Sequence, residues 1–189
     1  WSLVSFTAAA FLLEKSGNDL RFEAKGSTSF IVHLAAGILF GPFWSGVIAG
    51  LSTVLGEIDQ KKNAIKVLFN TAQRIVAVSG GFLILGALGA QVPLFDFHAN
   101  VPLVGSQIQR SLLLFILVAT FYFAFNTTAV SLAVALSSGR RFREVWNLTF
   151  RGVLGYDLGA SFIALVLAWL YVRFEEGLGV GAVGFAISL

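Results

Sequence analysis

HLAAGILFGPFWSGVIAG, His33 to Gly50, sits inside a run from Gly26 to Gly56 that carries no Lys, Arg, Asp or Glu. As one helix those 31 residues would extend about 46 Å, more than a bilayer core of about 30 Å requires, yet they are too few for two full crossings. Gly41-Pro42 breaks the run near its middle. Proline removes a backbone donor and clashes with the preceding turn, and glycine accepts backbone angles that other residues avoid, so GPFW reads as a turn. The spacing predicts two short helices, 27–40 and 44–56, hinged at Gly41 and Pro42. They cross as a thinned pair or form a re-entrant hairpin, and either arrangement leaves Lys25 and Glu57 on the same side.

The rest of the composition supports lipid as the solvent. Hydrophobic residues make up 57% of the 189 and charged residues 12%, about half of what a soluble domain carries. Mean hydropathy is +0.83. The thirteen bases and ten acids are too few to cover a soluble surface, and the net charge of +3 is no nucleic-acid signal. The absence of Cys excludes disulfides and thiol chemistry. The chain begins at Trp1 and ends inside an apolar run, so it reads as a single transmembrane domain, 1–189, cut at both ends.

Residues 111–136 form the clearest span, followed by 153–172, interrupted only by Asp157, and one between Lys66 and Leu94. Residues 1–13 and 180–189 read as partial spans. The fold class is therefore all-α and membrane-integral, a bundle of about six to seven hydrophobic helices. Alternating the segments gathers three basic stretches on one face: 14–26, 57–66 and 137–152. Together they hold ten of the thirteen bases, which the positive-inside rule places in the cytoplasm. That topology puts the C-terminal end in the cytoplasm of a bacterial inner membrane. Trp44, Trp169 and Tyr171 fall near the opposite boundary, where amphipathic rings settle.

Between two spans, GRRFREVWNLTFRG, 139–152, places Phe142, Val145, Trp146, Thr149 and Phe150 on one stripe. Arg140, Arg141, Arg143 and Glu144 lie mostly off it. This is the pattern of an interfacial amphipathic helix, its bases on lipid headgroups and its aromatics in the acyl boundary. It reads either as a connector with membrane affinity or as a moving coupling helix.

Polar residues inside spans are costly and face a bundle interior or water. Lys66, Asn70, Gln73 and Arg74 share one face of a helix, as an interfacial stripe, an internal network or a ligand contact. Asp157, near the same boundary, is the best acidic partner for Arg74. Asn126, one turn after Tyr122, suits interhelical hydrogen bonding. His33 is the only histidine in a span. His33, Asn70, Gln73, Arg74, Asn126 and Asp157 are thus the candidates for a ligand site or an internal polar network. No zinc motif, phosphate loop, carboxylate pair or nucleophile–base set occurs, so no catalytic residue, metal or cofactor is expected.

The blocks SFIVHLAAGILFGPFWSGVIAGLSTVLGE, KVLFNTAQ and FAFNTTAVSLAVALSSGRRFREVW resemble the N-terminal multi-pass membrane domain that precedes bacterial cyclic-di-GMP signalling modules of the HD-GYP phosphodiesterase and GGDEF cyclase type. That resemblance implies a non-catalytic sensor or anchor passing a signal to a cytoplasmic module. The partners it implies are the lipid bilayer and a signalling module on the same chain, with no nucleic acid. Two other readings stand beside it: a substrate-binding subunit resembling the S components of energy-coupling-factor transporters, and a structural subunit packing against other membrane chains.

Overall fold

A computed structural model describes residues 1–16, 28–90 and 105–178. Its elements are α1 (Ser2–Ser16), α2 (Phe30–Asp59), α3 (Ala64–Ala87), α4 (Gly105–Ser138) and α5 (Phe142–Leu178). No strand occurs among the described residues. Four helices contain stretches long and apolar enough to cross a membrane: 30–59, 64–87, 108–138 and 155–174. The expected seventh segment, 180–189, lies outside the described residues.

Length alone misleads for α2. Gly41 adopts φ 81° and ψ −176°, a region that only glycine occupies without strain, and the chain reverses there. His33 and Ser52 would lie about 28 Å apart on a straight helix, yet His33 Nε2 and Ser52 Oγ are 3.0 Å apart. The two ends of α2 also meet one residue: Ser29 Oγ donates to Glu14 Oε2 at 2.7 Å, and a Cβ on Gly56 would lie 2.8 Å from Glu14 Cγ. So α2 is a helical hairpin with limbs 30–40 and 42–59. From Ser29 to the turn the first limb rises about 18 Å, shorter than a bilayer core of about 30 Å.

Pro42 opens the second limb, where its missing N–H costs nothing. Its carbonyl accepts from Ser45 Oγ at 3.1 Å and from Ser79 Oγ of α3 at 2.8 Å, so the turn is fastened to the neighbouring helix. Gly46 and Gly50 let that helix approach: a Cβ on Gly50 would come within 2.9 Å of Ile75 Cδ1. The hairpin is the buried centre of the bundle, with Val32, His33, Leu34, Ala35, Ala36, Ile38, Ile48 and Ala49 all enclosed. Around it stand α1, α3 and α5. On α5, Ala160, Ala164 and Ala168, small residues at four-residue spacing on one face, are buried. Exposed Ile65, Leu68, Leu83, Leu113, Ile163 and Val166 form an apolar exterior suited to lipid.

The bundle has two distinct ends. At one, Phe6, Phe40 and Tyr171 form an edge-to-face trio with centroids 5.3 to 5.6 Å apart, and Ser2 Oγ meets Tyr171 Oη at 2.7 Å. Tyr171 is thus packed inside, because a hydroxyl partner and two rings offer more than the boundary does; Trp44 and Trp169 are the partly exposed rings. At the other end, called the base here, lie the Lys15–Asp59 pair at 3.5 Å, the α2–α3 turn and the α4–α5 turn. Gln73 on α3 hydrogen-bonds Asn126 on α4, and Trp146 on α5 lies 3.4 Å from Thr128 on α4, which fixes these antiparallel registers.

One expectation needs correction. Residues 142–150 are not a separate helix: they are the first turns of α5, continuous through Gly152. Gly139 at φ 68° reverses the chain tightly enough to stand these turns against α4, where Trp146 finds Thr128 and Val145 is buried, while Phe142 stays exposed. Arg140, Arg141, Phe142 and Arg143 are exposed at the tip; the side chain of Phe150 lies outside the described ones.

Replacing Gly41 by Ala should cost about 1–3 kcal/mol, because the side chain would clash in this backbone region. Unfolding in detergent checks this; unchanged stability would mean that the chain does not reverse there.

Candidate functional site

The interior of a lipid-solvated bundle should hold no lone charge, yet α3 carries Arg74 into it. The helix places Gln73, Ala77, Val78, Gly81, Phe82 and Leu85 on its buried face, and Arg74 borders that face. Its guanidinium donates from Nη1 to Ser29 Oγ at 2.7 Å and from Nη2 to Glu14 Oε1 at 3.1 Å. Ser29 in turn donates to the second oxygen of the same carboxylate. The side chains of Arg74 and Glu14 are 15% and 7% exposed, so water screens this pair weakly. Three helices therefore close on one charge: α1 through Glu14, α2 through the residue that precedes it, and α3.

Asp157 is not the partner expected for Arg74. It sits on the buried face of α5, in line with Ala160, Ser161 and Ala164, and its Oδ1 has no hydrogen-bond partner. Glu14 wins because α1 runs antiparallel to the first limb of α2 and delivers its carboxylate to the limb's base, beside Ser29. The sequence carried a signal for it: Glu14 is the only acid in the apolar N-terminal segment, at its inner edge, the mirror of Arg74 in α3.

The other candidates distribute around this cluster. His33, fully buried, bridges the two limbs of α2 through Ser52, while its Nδ1 has no partner. Gln73 and Asn126 join α3 to α4. Asn70 is partly buried and Lys66 exposed, so the polar stripe of α3 divides between an inward and an outward part. Nearer the base, Glu57 is 2% exposed and pairs with Lys62 at 2.7 Å, a second buried carboxylate countered by a base. Asn63 caps α3 by accepting from the Ile65 amide at 3.0 Å, which fixes where Lys62 stands. Among the described residues, Thr53 Oγ1, Glu57 Oε2, Thr71 Oγ1 and Ser131 Oγ are further buried polar atoms without a hydrogen-bond partner.

Chemically the arrangement can hold charge and respond to it. No set of three His, Asp or Glu residues could hold a metal ion among the described residues. The polar groups instead link helices that are otherwise held by non-directional packing, so a change in any one of them alters which helices are joined.

Replacing Glu14 by Ala leaves the guanidinium uncompensated and should lower stability by about 3–5 kcal/mol. The double variant Glu14→Met, Arg74→Met should recover much of that loss, since an apolar pair needs no partner. Equilibrium unfolding of the single and double variants in one detergent checks both; equal losses in the two would mean that the charge is not what joins these helices.

The described chain is thus an all-helical membrane bundle whose interior is organised by a buried ion pair and a reversing helix. No curated protein and no solved structure matches it. The family model named MASE9 matches residues 3–188, nearly the whole length. The chain belongs to this family of membrane-associated sensor domains.

Proposed function

We propose that this domain is a non-catalytic sensor that passes a conformational signal to a cytoplasmic module, of the cyclic-di-GMP type to which blocks of its sequence bear likeness. The observation that carries the reading is the Glu14–Ser29–Arg74 cluster. It joins α1, the reversing helix and α3 at one place, so a stimulus that favours a different arrangement of those helices acts against one defined interaction rather than against the whole core. A signal requires two arrangements that the stimulus stabilises unequally. The hinge at Gly41 and Pro42 and the directional contacts at the opposite end of the hairpin supply parts that can repack as units.

The base carries the basic turns, so it is the end assigned to the cytoplasm. On this assignment the buried cluster lies in the cytoplasmic half of the bundle, and His33, Gln73 and Asn126 line the interior beside it; α5 ends at the opposite face, and a cytoplasmic C-terminus, which the charge pattern implies, rests on residues after Leu178, outside the described ones. Lipid covers the remainder.

The test uses the full reading frame, with whatever cytoplasmic module follows, reconstituted in lipid. Arg74→Gln and Gly41→Ala should shift the basal activity of that module while a lipid-facing control, Leu83→Ala, leaves it unchanged. A module equally active with all three would reduce the domain to an anchor.

A further inference from the structure

Among the described residues, the base of the bundle holds more positive charge than its acids can counter. Lys15 is paired with Asp59 and Lys62 with Glu57. Lys61, Lys66, Arg140, Arg141 and Arg143 form no ion pair among the described residues, and all five are exposed. Glu144 is the one exposed acid left among them. Lys61 is further held at φ 54°, in the turn that presents it outward.

These bases share a flank of bare apolar side chains. Next to the α2–α3 turn, Ile58, Ile65 and Leu68 are 61%, 77% and 71% exposed; beside the α4–α5 turn, Leu136 and Leu148 are 77% and 72% exposed. By helical rise from the Gln73–Asn126 bond, the tip of α4–α5 stands only several ångströms beyond the start of α3, within the depth of a headgroup layer. An acidic protein surface would match the charges but leave those aliphatic side chains in water. A lipid satisfies both at once, acyl chain against the leucines and phosphate against the bases.

We propose that the base is a binding surface for anionic phospholipid headgroups, which bridge the α2–α3 and α4–α5 turns. The occupant supplies negative charge to bases that no described acid pairs, and tying the two turns together restrains the α2 hairpin relative to α4 and α5. Lys62 takes no part, because Glu57 holds it. This inference does not rest on the sensory reading: an anchor would bind the same lipids, and lipid retention is read without any signalling module.

The chain is purified and placed in nanodiscs of phosphatidylcholine alone or with phosphatidylglycerol, and retained lipids are counted by native mass spectrometry. Thermal unfolding is followed in parallel. Wild type should retain phosphatidylglycerol in preference and unfold at higher temperature when it is present. Neutralising bases one at a time, beginning with Arg140→Gln, Arg141→Gln and Lys61→Gln, should weaken retention about fivefold each. Arg173→Gln, at the opposite end, should leave it unchanged, and Arg141→Lys should retain most of it. Equal retention of the two lipids by wild type would overturn the proposal, as would full retention after all five bases are neutralised. Preferential stabilisation by a soluble acidic polypeptide in phosphatidylcholine discs would overturn it in favour of a protein partner. Should the neutralised variants fail to fold, the wild-type lipid count alone decides.

Discussion

A guanidinium cannot lose its charge at any ordinary pH, so once α3 carries Arg74 into an apolar interior, some other part of the chain must come to it. Much of the fold meets that demand. The carboxylate arrives on α1, and the hydroxyl that completes the arrangement arrives on the turn before α2. Because Ser29 donates to the same carboxylate that Arg74 binds, the three groups are mutually satisfied, and none can leave without stranding the other two. Apolar packing supplies most of the burial but little direction, and in lipid it gives helices scant reason to prefer one neighbour over another. This cluster supplies the direction.

The reversal of α2 is what makes such an arrangement possible. A straight helix of the same sequence would send residues 42–59 away from Glu14 and leave His33 without Ser52. Gly41 turns the chain, Pro42 starts the return, and Ser79 fastens the turn through the proline carbonyl. Hence the most buried helix of the bundle has its polar contacts near its two ends and beside His33, with a close-packed middle where Gly46 and Gly50 admit α3. A structure of that kind is stiff along its limbs and specified at its base, which suits a part that repacks as a unit.

Much of the architecture was legible from charge-free run lengths and from one Gly-Pro pair, since both report directly on what lipid tolerates and on what a helix cannot contain. The same reasoning identified Gln73, Arg74, His33 and Asn126 as residues that need partners. It could not supply the right ones. Asp157 looked like the counter-charge because it lies near the same boundary, whereas the choice of Glu14 depends on which helix stands beside the first limb of α2, a tertiary fact with no sequence period. The amphipathic stretch after Gly139 was legible as a helix but not as part of a longer one: its stripe specifies an apolar neighbour, and only the tight turn shows that these residues open α5, with Trp146 beside α4. Tyr171 likewise has the composition of an interfacial ring and the position of a core residue.

The reversing helix is the claim on which all of this depends, and a distance measures it directly. The chain lacks cysteine, so Thr28→Cys and Ile58→Cys introduce two unique sites for spin labels. With the domain in lipid, the hairpin predicts labels under about 25 Å apart, the reach of two neighbouring helices with their labels. A population centred near about 45 Å, the length of an unbroken 30-residue helix, would contradict it.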